Sequence, residues 1–220
     1  MKPITVVKIL LDTLMTFILL LLMAYNLVGE FAHILLGILI FFLFISHIAL
    51  NIHWSKSLFN GKYSAPRILQ TIAVFAVFFA MLCSVISGLI LSHIIPIRNG
   101  LIISKNLHLI GAYWGFVLIS FHLGTNWHII IGVFCKIFKK IKNKFTNLIT
   151  TIIGSAIAGY GIYAFIIRKF ANYMFLKTTF VFFDKKESLW LFILDYLAIM
   201  GLFVWIGYYV IKLLRIHQRK

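Results

Sequence analysis

Eight histidines stand in a 220-residue chain of which 62% is hydrophobic. A polar ring inside so apolar a sequence is expensive unless a partner satisfies it, and the spacing of four of these rings indicates what kind of partner. His33 and His47 lie fourteen residues apart, and so do His108 and His122. At 100° per residue, fourteen helical steps return to within about 40° of the starting face and rise ~21 Å. Each pair therefore places two imidazoles on one face of a helix, one towards each side of a bilayer. The pairs also share a register, since His33, His47, Asn51 and His53 recur 75 residues later as His108, His122, Asn126 and His128.

The elements that carry them are membrane helices. Apolar runs of the roughly 20 residues needed to cross a hydrocarbon core are separated by polar or basic breaks, which predicts six spans near 5–25, 29–53, 68–94, 106–133, 148–168 and 189–212. The fifth has the weakest signal, because its glycines and serine lower helix propensity. The breaks are Asn60-Gly61 with Pro66, Pro96 with Asn99-Gly100, and the Lys-rich stretch from Lys136 to Lys144. One span lies between the second and the fourth, so these two run the same way through the bilayer, with His33 level with His108 and His47 level with His122. The predicted architecture is an all-α integral membrane protein with one domain over 1–220. A four-helix core spans about 1–134, and two further helices span about 148–213.

Two level pairs of imidazoles on neighbouring helices suit the two axial positions of six-coordinate haem iron. The sequence thus predicts two haem b groups with His33/His108 and His47/His122 as iron ligands. Gly37, Gly111 and Gly115 lie near the ligand faces, where small residues let a macrocycle approach the backbone, and Phe44 falls between the two levels. Propionates need donors near the interface, for which Arg98 and Lys105 serve on one side and Lys56, Lys62 and Arg67 on the other. Asn51 and Asn126, four residues after the second ligand of each helix, are further donors. His53 and His128 are rotated about 120° off that face and suit an interfacial or quinone site, making a quinone the second candidate ligand. His93 lines the outer haem edge or caps its helix, and His217 belongs to a solvated tail.

Composition excludes other classes. Only 12% of residues are charged and mean hydropathy is +1.03, where a soluble domain carries roughly 25% charge. The net charge of +16 comes from 21 Lys and Arg clustered between apolar runs, which marks topology and not nucleic-acid binding. Fourteen of these residues fall on the side of both termini and seven on the other, so the positive-inside rule puts both termini in the cytoplasm. The aromatic and basic stretch from Phe170 to Ser188 is then external and suits a segment resting on the membrane surface. Cys83 and Cys135 form no CxxC or CxxCH motif. The amino-terminal apolar run lacks an A-x-A-like cleavage site and is read as the first span, not as a signal peptide.

The residues resemble a known family, the bacterial flavinylation-associated cytochromes. The likeness rests on the run from His33 through Gly37 to His47, Asn51 and Trp54, on Leu107-His108 with Tyr113-Trp114-Gly115, and on His122-Leu-Gly-Thr-Asn-Trp-His128. It extends to Phe-Phe-Asp at 182–184, Asp195-Tyr196 and Tyr208-Tyr209. The resemblance implies a multi-haem b cytochrome of the cytoplasmic membrane that passes electrons to an extracytosolic flavoprotein carrying FMN. The chain has no flavin- or nicotinamide-binding fingerprint of its own, so it is expected to be an electron-transfer subunit and not a stand-alone enzyme. Fourteen-residue ligand pairs also occur in membrane b subunits of quinol-linked oxidoreductases, which is the first alternative. A transporter with a His-lined proton or metal path is the second, although the spans hold few carboxylates, Asp12 and Asp195 with Glu30 at the very start of the second span.

Overall fold

The computed structural model describes residues 3–58, 63–95, 100–137, 144–179 and 187–218. Among these the chain is helical without strands: α1 (Pro3–Met23), α2 (Tyr25–Val28), α3 (Glu30–Leu50), α4 (Ile52–Ser57), α5 (Ala65–Leu91), α6 (Leu101–Thr125), α7 (Trp127–Ile137), α8 (Lys144–Ile167), α9 (Phe170–Met174) and α10 (Leu189–His217). Six of them are long and apolar enough to cross a membrane, and the protein is an all-α multi-pass membrane protein.

Helix ends follow from local chemistry. α3 begins after Gly29 at φ 85°, and α6 begins after Gly100 at φ 103°, a region that favours glycine. Pro66 sits in the first turn of α5, where its missing N–H costs nothing. The predicted second and fourth spans run past their true ends. Both α3 and α6 stop at an asparagine with nearly the same backbone, Asn51 at φ −105°, ψ 18° and Asn126 at φ −105°, ψ 6°. In each, the side-chain amide donates back to the carbonyl four residues earlier, His47 O at 2.9 Å and His122 O at 3.0 Å. Asparagine competes with the helix for its own carbonyls in this way, and a short helix, α4 or α7, resumes beyond each break.

Three helix pairs build the bundle: α1 with α3, α5 with α6, and α8 with α10. α6 and α10 pack together between the last two, and α3 reaches the rest of the bundle through α1 and α5. Glycine sets the closest crossings. A Cβ on Gly207 would lie 2.5 Å from the Phe121 carbonyl, and one on Gly124 would lie 2.8 Å from Val204 Cα, so α6 and α10 touch backbone to backbone. A Cβ on Gly201 would lie 2.6 Å from Ile157 Cγ2, and one on Gly161 would strike the Ala198 carbonyl. The glycines that weakened the fifth span in the sequence are thus partly explained by close packing, the usual use of small residues between membrane helices.

The core lies beside α6. Tyr113 and Phe116 meet Phe170 at ring separations of 4.7 and 5.7 Å, and Phe192 stacks on Tyr196 at 4.1 Å. This corrects the expectation for the start of the stretch after Phe170. Phe170, Tyr173 and Met174 are buried, because Lys169 and Leu176 turn the chain at φ 49° and 50° and Trp114 Nε1 donates to the Met174 carbonyl at 3.0 Å. α9 is therefore tucked into the bundle and does not rest on a surface.

Arg168 ties α8 to α10. It donates through Nε to Asp195 Oδ2 and through Nη1 to Glu187 Oε2, both at 2.8 Å, and through Nη2 to the second Glu187 oxygen. Tyr160 donates to Asp195 Oδ1 at 2.6 Å. Hydrogen bonding to Glu187 raises the pKa of the guanidinium, which stays charged. Replacing Arg168 by glutamine leaves two carboxylates without their cation. We expect a loss of about 2 kcal/mol, seen as a lower unfolding temperature in detergent, with part of it restored by a second change, Glu187→Gln.

Candidate functional site

The first histidine pair joins α3 and α6 across α5. The rings of His33 and His108 face each other with centroids 5.9 Å apart and planes at 71°. α5 supplies the seat for His108. Nδ1 of His108 donates to the Ser84 carbonyl at 2.9 Å, Ser87 Oγ lies 3.3 Å from the same nitrogen, and a Cβ on Gly88 would come within 3.3 Å of the ring. A proton held on Nδ1 leaves the lone pair on Nε2, as a metal ligand requires. His33 has Tyr25 edge-on at 5.0 Å and the Leu22 carbonyl nearby. Its Nδ1 is buried and has no hydrogen-bond partner among the described residues.

The second pair lies toward the opposite ends of α3 and α6, beside α1. His47 Nδ1 donates to Asp12 Oδ1 at 2.7 Å, and His122 lies within electrostatic reach of both His47 and Asp12. Nδ1 of His122 is also buried without a partner among the described residues. Asn51, whose amide bonds the His47 carbonyl, accepts from Lys8 Nζ at 2.9 Å, and Asn126 accepts from Gln70 Nε2 at 3.3 Å. His33 of α3 and His108 of α6 thus come together, while His47 and His122 lie toward the opposite ends of the same two helices, with Asp12 against His47.

The couples share a pattern. One ring in each is anchored through Nδ1, on a backbone carbonyl for His108 and on a carboxylate for His47. The other, His33 or His122, keeps a buried nitrogen that costs about 1–3 kcal/mol while unbonded. Two imidazole nitrogens on one metal at about 2 Å each put ring centres about 6 Å apart, which is the His33–His108 spacing. No three His, Cys, Asp or Glu side chains converge among the described residues as a cage for a bare ion. A haem supplies four equatorial nitrogens itself and asks only two axial ligands of the chain, so the donor set fits that group.

The other predicted residues distribute differently. Gly111 serves α5, since a Cβ there would lie 2.5 Å from Ser84 Oγ and 3.1 Å from the Ala80 carbonyl, and Gly115 also faces Ala80. Among the described residues nothing lies within 4 Å of where a Cβ on Gly37 would be. Phe44 packs on Phe78 of α5 at 6.3 Å. His53 and His128 are exposed beyond the helix breaks. His93 is exposed at φ 57° just past α5, with its backbone N–H on the Ile90 carbonyl, a capping position. Lys56 and Lys105 are exposed, and Arg67 bonds the Ser57 carbonyl and covers the Tyr63 ring at 4.5 Å. Arg98 and Lys62, the breaks at Asn60-Gly61 and at Pro96 with Asn99, most of the 136–144 stretch, and Phe182-Phe183-Asp184 lie outside the described residues.

Sequence reasoning missed Asp12, Ser84, Gly88 and Gln70 as partners of the histidines and asparagines. Asp12 left a signal, because it is the one carboxylate within the first span, and such a group needs a partner. Comparison of the chain with protein-family models, curated proteins and solved structures finds no match, so the reading of the site rests on its own residues.

Proposed function

We propose that the chain is a di-haem b-type cytochrome that carries electrons across the cytoplasmic membrane, with both termini on the cytoplasmic side. The supporting observation is the meeting of His33 with His108 at 5.9 Å, one ring anchored through Nδ1 on the Ser84 carbonyl and the other with its Nδ1 buried and without a partner among the described residues. In this reading Ser84 and Asp12 would fix the tautomers of His108 and His47, and each of the four rings would offer one nitrogen to iron, His47 in exchange for the Asn51 amide that lies 3.5 Å from its Nε2. Iron in such a group takes up and gives back one electron. The protein's work is to hold the ligands, exclude water and set the surrounding charge. The resemblance to flavinylation-associated cytochromes supports an extracytosolic FMN-carrying flavoprotein as the partner, and a quinone pool remains the alternative partner.

A reduced-minus-oxidised spectrum of the purified chain, with haem-to-protein ratio from the pyridine haemochrome, tests the proposal. The expected result is a low-spin b-type spectrum with two haems per chain. A chain expressed with ample haem that carries none would sink it.

A further inference from the structure

The two couples differ in what stands behind their anchored ring, and this difference has an electrochemical meaning. His108 gives its Nδ1 proton to a neutral acceptor, the Ser84 carbonyl at 2.9 Å. His47 gives its proton to a carboxylate, Asp12 Oδ1 at 2.7 Å. A carboxylate behind a ligating imidazole makes the ring more basic and more anionic, and its charge favours the ferric state, which carries one more positive charge than the ferrous. The nearest cation on α1, Lys8, directs its ammonium to Asn51 Oδ1 at 2.9 Å, and Nδ2 of the same amide lies 3.5 Å from His47 Nε2, so the ammonium reaches the ring only through this neutral group, whereas the Asp12 carboxylate bonds it directly.

We propose that Asp12 is a positioning residue that makes the His47/His122 haem the lower-potential member of the pair. The inference rests on the di-haem reading and adds to it a residue and an order of potentials.

Spectroelectrochemical titration of the full-length chain tests it. In wild type, two midpoints are expected, and the lower one is the midpoint that remains in His108→Ala, which keeps only the His47/His122 site. Asp12→Asn should raise that midpoint by a tenfold change or more in the one-electron equilibrium, about 59 mV, and leave the higher midpoint unchanged. Asp12→Glu should keep it low. Two haems with unshifted midpoints in Asp12→Asn, or the higher midpoint remaining in His108→Ala, would overturn the assignment while leaving the di-haem reading intact. A chain that binds no haem fails both. Should Asp12→Asn shed its haem, low-temperature EPR of the wild type decides. A stronger axial field at the His47/His122 iron than at the other supports the assignment, and an equal or weaker one overturns it.

Discussion

Replacing His122 by alanine should lower the haem content from two per chain to one, and His47→Ala should do the same. His33→Ala and His108→Ala should remove the other haem. His33 and His108 meet edge-on at 5.9 Å, whereas His47, held on Asp12, and His122 lie toward the other ends of α3 and α6, so in the di-haem reading each substitution strips one ligand from one couple. His122 is the sharpest case, because its ring is held by no hydrogen bond through Nδ1 and its removal leaves the Asp12–His47 anchor in place. His217→Ala, in the tail, is expected to retain both haems. The haemochrome assay reads the ratio, and loss of both haems from each of the four variants would contradict independent couples.

Gly207→Leu should abolish accumulation of the folded protein, and Gly124→Leu should behave alike. A single methyl at Gly207 already meets the Phe121 carbonyl at 2.5 Å and the Gly124 Cα at 3.2 Å. Both obstacles are backbone, which cannot rotate aside. Overpacking by one such group costs about 1–3 kcal/mol, and a leucine adds more bulk at a crossing where two helices touch directly. Because α6 carries both His108 and His122, parting it from α10 should disturb the two couples together. Gly159→Leu is the control, since among the described residues nothing lies within 4 Å of a Cβ there. Fluorescence-detected size exclusion of detergent extracts reads the outcome, and a monodisperse Gly207→Leu with wild-type yield would show that the crossing is looser than its geometry implies.

The parts of the molecule legible in the sequence are those that depend on one helix at a time. Hydropathy located six spans, and periodicity placed His33 with His47 and His108 with His122 on common faces, with levels that follow from counting crossings. Which neighbour a face meets is a different matter. Gly111 and Gly115 share a helix with the ligands, yet they admit α5, because a small residue looks the same whether it makes room for a helix or for a macrocycle. Asp12 lies 35 residues from His47 and carries no periodic signal toward it. Arg168 gathers Glu187 and Asp195 across 19 and 27 residues of sequence, past the turns at Lys169 and Leu176 that local propensity does not announce.

The matched breaks at Asn51 and Asn126 carry a consequence for engineering. Two helices that end on the same kind of stop differ in what meets the stopping residue, an ammonium from Lys8 on one asparagine and an amide from Gln70 on the other. Changing Lys8 or Gln70 is therefore the natural way to tune one helix end without redesigning the other.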